Sequence, residues 1–151
     1  MNKNEIILDD GLEEVIIKNK LGEEIGKFYF RPTDIGILAR YREVVDTFDE
    51  VTKPLEKANI DNKGEGVDDN DTEAVKEAEK ILYEKCDYIF GGNFSEAFFE
   101  KINPFSPVGG RFFCEQAIEV VGKYISNRFD KEVKASSKRI SKYTSNFSSK
   151  E

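Results

Sequence analysis

Residues 90–113 read FGGNFSEAFFEKINPFSPVGGRFF and hold seven of the twelve phenylalanines in a chain of 151 residues. Burying one phenylalanine side chain contributes roughly 1.5–3 kcal/mol, so this stretch alone supplies on the order of 10–20 kcal/mol of gross stabilisation. Such a run is either the centre of a core or a surface that another protein covers. Phe94, Phe98 and Ile102 share one helical face, as core residues do. Phe99 falls nearer the opposite face, and Phe112 departs from Phe113 in the same way. One small core covers one face of a short helix easily and two with difficulty, so the rings divide between self-burial and a partner or oligomer surface. Phe94, Phe98, Phe99, Phe105, Phe112 and Phe113 are the candidate protein-binding residues, with Phe99 and Phe112 expected at least partly exposed.

Upstream of this block, Val75, Ala78, Leu82, Cys86 and Ile89 recur at spacings of three and four. They predict a helix from Asp71 or Thr72 to Phe90, stopped by Gly91-Gly92. Asn93 with Glu96 resembles a capping box that opens a short helix through Ile102. Ser106 can cap a last long helix with Pro107 at its first position. That helix carries Phe113, Ala117, Val120 or Val121, and Tyr124 on one face, with Gly109-Gly110 in its first turn. An earlier helix follows Arg31-Pro32-Thr33-Asp34, with Leu38, Tyr41, Val45, Phe48, Thr52 and Leu55 as its apolar face and Pro54 near its end.

The first thirty residues read as strands. Glu5-Ile6-Ile7-Leu8 is one candidate; Val15-Ile16-Ile17 and Ile25–Phe30 are two more, joined through the turn-type cluster Asn19-Lys20-Leu21-Gly22. The predicted fold class is α+β and mostly helical: an N-terminal β-hairpin packed on a cluster of about four helices, with a disordered C-terminal tail. Residues 1–130 form a single domain in this reading, interrupted by a flexible acidic loop at 59–72. Residues 131–151 form the basic, disordered tail.

Charge follows the same division. The whole chain carries a net −7. Residues 1–130 carry a balance of −11 and residues 131–151 one of +4. An acidic body repels nucleic acid, so no nucleic-acid partner is expected, although the basic tail could meet an acidic partner, RNA or its own body. No apolar run is long enough to span a bilayer, and the opening MNKNEIILDDGLEE lacks a signal-peptide core; no membrane partner and a cytoplasmic location follow.

The chain contains no histidine. This removes the commonest general base and the commonest metal ligand together. Cys86 and Cys114 form no CxxC pair and fall within apolar helix stripes, as inert core thiols do. Gly91-Gly92 and Gly109-Gly110 match no phosphate-binding loop. The acidic residues follow solvent-facing helix positions, and the 59–72 loop lacks the spacing and final glutamate of an EF-hand. No catalytic, metal or cofactor-binding residue is assigned, and no cofactor or enzymatic activity is expected.

The segment order FYFRPTDIGILARYREVVDTF, an acidic linker, IFGGNFSEAFF and NPFSPVGGRFF resembles the small tail assembly chaperones of long-tailed phages and prophages of Gram-positive bacteria. The resemblance spans roughly residues 25 to 130. It implies a small, cytosolic, non-enzymatic helical protein that coats the long tape measure protein, keeps it soluble during tail assembly and is absent from the mature virion. It also implies self-association in some members, hence a possible homo-oligomer, and a longer form made by frameshifting. Two other readings fit the residues: a structural phage tail or connector component, and an acidic regulatory protein-binding module.

Overall fold

The computed structural model describes residues 4–48, 50–51, 53–54 and 69–148, with the backbone alone described for 69–71 and 136–148. Two strands, β1 (Glu13–Lys18) and β2 (Glu24–Phe30), are followed by helix α1 (Gly36–Val45), helix α2 (Asp69–Phe90) and the short helix α3 (Phe94–Phe99). A miniature hairpin, β3 (Pro107–Val108) and β4 (Arg111–Phe112), leads into the long helix α4 (Phe113–Ser148). The mostly helical α+β class with an N-terminal antiparallel hairpin is therefore the observed one.

β1 and β2 pair from Glu13↔Phe30 through Val15↔Phe28 to Ile17↔Gly26, with a bulge between Ile17 and Lys18. This register places Val15, Ile17, Phe28 and Phe30 on the face turned toward the helices, because side chains alternate along a strand. The connecting loop is held by Asn19, whose side-chain oxygen accepts from the N–H groups of Leu21 and Glu23 at 2.9 and 3.0 Å. Glu5-Ile6-Ile7-Leu8, read from sequence as a strand, joins no sheet among the described residues, and Glu5 to Asp10 are exposed.

α3 occupies the middle of the molecule. Its rings meet Phe28 of the hairpin, Phe90 and Tyr83 of α2, and Phe113 of α4. Phe28 and Phe30 stack at 4.1 Å, and Phe94 stands edge-on to Phe28 at 5.5 Å. Stacked and edge-to-face pairs of this kind add to the burial they accompany. Buried residues of β2, α1, α2, α3 and α4 join in one cluster, into which Val15 and Ile17 of β1 pack from its edge.

Close approach of α3 to the hairpin depends on two glycines. A Cβ at Gly26 would lie 2.0 Å from the carbonyl oxygen of Ala97, and one at Gly92 would lie 2.2 Å from that of Tyr29. Asn93 then closes the outer edge of β2. Its side-chain oxygen accepts from the Tyr29 N–H at 2.8 Å, and its amide donates to the Lys27 carbonyl at 2.9 Å. The capping box expected at Asn93 is thus absent, since the side chain is spent on the sheet. Asp87 serves the start of α3 instead, accepting from the backbone N–H and the hydroxyl of Ser95, both at 2.8 Å.

Several boundaries differ from the sequence reading. Gly91, with φ +68°, ends α2 as expected. The start of α2 lies earlier, at Asp69. Gly109 and Gly110 have φ of +64° and +85° and form the two-residue turn between β3 and β4, rather than the first turn of a helix. Two positive φ values in succession are what a tight type I′ hairpin requires. α4 therefore begins at Phe113. The backbone of α4 runs to Ser148, and no glycine or proline lies beyond Gly122. Asp130 to Ala135 are exposed, so this extension departs from the core. Thr52, Leu55 and residues 59–68 of the acidic loop lie outside the described residues.

Candidate functional site

The phenylalanine block is interior. Phe94, Phe98, Phe99 and Phe113 are buried in the single chain, with Phe99 only 6% exposed. Phe99 stacks on Tyr83 at 5.6 Å and meets Phe113 edge-on at 6.1 Å. The expectation that Phe99 lies on a contact surface is therefore overturned: α3 sits between the hairpin, α2 and α4, and both of its faces are covered from within. Phe105 and Phe112 are half-buried and pack edge-to-face against each other at 5.7 Å, beside the β3–β4 turn. The partial exposure expected of Phe112 is present.

Apolar surface is exposed elsewhere. On α1 the buried face is Ile37 and Val44, continued by Val51, and not Leu38, Tyr41 and Val45. Arg40 sets this rotation. Its Nε donates to the Ile89 carbonyl at the end of α2 at 3.0 Å, and its terminal nitrogen meets Asp34 at 3.0 Å. A guanidinium at the carbonyl end of a helix is favourably placed with respect to the helix dipole. Hydrogen bonds from that guanidinium first, and from the Gly36 N–H second, hold the Asp34 carboxyl below the usual aspartate range. As a result Ile35 and Leu38 are 74% and 54% exposed, and Tyr41 and Val45 lie on the same outward side. Two apolar stripes of helical spacing run along this segment: Leu38, Tyr41 and Val45 of the expected face meet water, while Phe48 of that face packs against the core. The second stripe, Ile37–Val44–Val51, is the signal that was available.

A second exposed apolar region is a groove between the hairpin and α4. α4 reaches the hairpin chiefly at one end. There the Tyr124 hydroxyl donates to Glu13 at 2.8 Å, and Arg128 donates to the same carboxylate oxygen at 2.7 Å. Beyond that clasp a cavity of about 300 Å³ opens beneath β1. It continues past Ile17, Lys18, Phe98 and Val120 into one of about 380 Å³ that reaches Asn19 and Lys20. The walls are mainly aliphatic and aromatic, and the two lysines stand at the turn end. Asn93 covers the outer edge of β2, whereas β1 pairs only with β2 and its other edge meets no strand among the described residues.

The thiols are chemically quiet. Cys86 and Cys114 are free and buried. Desolvation raises the Cys86 thiol far above its usual range, and it raises Cys114 to about 11. Neither forms thiolate readily near neutral pH. Among the described residues, no group of three or more Cys, Asp or Glu side chains is placed to hold a metal ion, and no helix is long and apolar enough to cross a membrane. No protein-family model, curated protein or solved structure matches this chain.

Proposed function

We propose that this chain is a non-catalytic tail assembly chaperone of the long-tailed phage and prophage kind, which holds an amphipathic helical segment of a tape measure protein in the host cytoplasm. The observation that carries the reading is the outward row Leu38, Tyr41 and Val45 on α1, preceded by Ile35 just before the helix. From Leu38 onward its steps of three and four are those on which a partner helix packs its own apolar face. Arg40 pins the row in place through Asp34 and the end of α2, so the surface is preorganised. A net charge of −7 keeps a complex with an apolar client in solution. The phenylalanine cluster supports the reading only indirectly, as the rigid core behind α1.

Co-expression with the long helical protein encoded beside it, followed by affinity capture, tests the proposal. The expected result is co-purification and a rise in the partner's soluble yield, both lost in the double variant Leu38→Glu/Val45→Glu. Unaltered melting of that variant separates lost binding from lost folding. Capture of no partner and no gain in its solubility overturns the proposal.

A further inference from the structure

The strand-like segment Glu5-Ile6-Ile7-Leu8 stands unused. Its three aliphatic side chains are 86%, 92% and 81% exposed, among the most exposed large apolar residues described. A contiguous aliphatic triplet left in water on a strand-forming sequence marks a segment that finds cover in another state of the protein.

Its own chain does not offer that cover at β1. Arg31 Nε donates to Asp10 at 2.8 Å, and Gly11 lies against Thr33, so the base of the arm is tied to the residues that follow β2. Asp9 and Asp10 accept from the N–H groups of Gly11 and Leu12 at 2.9 and 3.1 Å, which ties down the backbone between the arm and β1. Among the described residues β1 pairs only with β2, and the arm itself is exposed.

We propose that the arm of one copy adds as a third strand to the open edge of β1 in a second copy, and that the exchange is reciprocal. Antiparallel addition has one register that covers all three aliphatic side chains of the arm. Ile6 falls opposite Ile17 and Leu8 opposite Val15, both entering the apolar groove against α4. Ile7 falls opposite the exposed Ile16 on the outer face. Glu5 then falls opposite Lys18, with Lys20 close by, which pairs the arm's leading acid with the basic end of the groove. Asp9 would meet Glu14, and this like-charge pair ends the added strand after Leu8. The backbone groups of β1 that face no strand gain partners, and a two-fold axis relates the two exchanges. The inference needs only this chain and goes beyond the client reading, because it assigns a different surface from the α1 row.

Sedimentation of the full chain over a range of micromolar concentrations tests it. The wild type should form a dimer. Ile6→Asp/Leu8→Asp should weaken that dimer by about a hundredfold or more, since two aliphatic side chains lose their apolar cover in each exchange. These side chains are in water in the single chain, so the variant retains the wild-type circular dichroism spectrum, and at concentrations too low for the dimer it melts at the wild-type temperature. Val120→Glu, at a half-exposed groove wall, should weaken the dimer comparably. Mixing the arm variant with the groove variant should recover a heterodimer through the one intact exchange. A wild type that stays monomeric throughout, or a dimer that survives either variant, overturns the proposal. Either failure leaves the Leu38/Val45 client test unaffected.

Discussion

Replacing Gly26 by alanine tests the packing on which the whole arrangement rests. Gly26 does not adopt a positive φ, so alanine meets no backbone penalty there. In a strand interior, alanine at a compatible glycine position ordinarily stabilises by roughly 0.4–1 kcal/mol through the unfolded chain. Here the new Cβ would lie 2.0 Å from the Ala97 carbonyl oxygen, 2.9 Å from its carbon and 3.1 Å from its Cα. All three are backbone atoms, so no side-chain rotation relieves the clash. Either β2 or α3 must retreat by more than an ångström, and the contacts of Phe94 and Phe98 with Phe28 open in consequence. Overpacking of this kind costs about 1–3 kcal/mol or more, and the expected net loss is about 2 kcal/mol. That is a large share of the roughly 5–15 kcal/mol typical of a domain. Urea unfolding followed by tyrosine fluorescence or circular dichroism measures it as a lower midpoint at unchanged slope. A Gly26→Ala protein as stable as wild type, or more stable, refutes the claim that α3 is seated on β2 through backbone contact.

Asn93→Ala removes both hydrogen bonds to the edge of β2 and should cost about 1–3 kcal/mol, read from the same unfolding curves. Asn93→Asp should cost at least as much, because the carboxylate cannot donate to the Lys27 carbonyl. Ellman's reagent should leave Cys86 and Cys114 untouched in the native protein at pH 8 and titrate both in denaturant; rapid native reaction at either would contradict their burial. The Asp34 carboxyl is held below its ordinary value of 3.8 in the folded chain, so its contribution is present above that value and fades as pH falls through the folded one. Asp34→Asn should thus flatten the acid limb of the stability profile measured from pH 7 to 2; an unchanged limb would count against the Arg40–Asp34 contact.

Elements whose chemistry is local were legible in the residues alone. Val15–Ile17 and Ile25–Phe30 carry strand-forming residues around an Asn–Gly-containing turn, and Val75–Ile89 carries a single unambiguous apolar stripe; both became what their periodicity implies. Gly91, needed for a left-handed helix stop, was likewise legible from residue type. Tertiary structure decided whatever offered two equivalent local solutions. α1 has two apolar stripes, one at steps of three and four and one at steps of seven, and its packing against α2, where Arg40 reaches the Ile89 carbonyl, decides which one is buried. Asn93 is an ideal cap by type, yet a strand edge with unpaired groups lay closer and claimed it. The aromatic run exceeds what a short helix could bury alone. Surrounded by a hairpin and two long helices, α3 buries both of its faces, and the exposed grease is left on α1, in the groove and on the N-terminal arm.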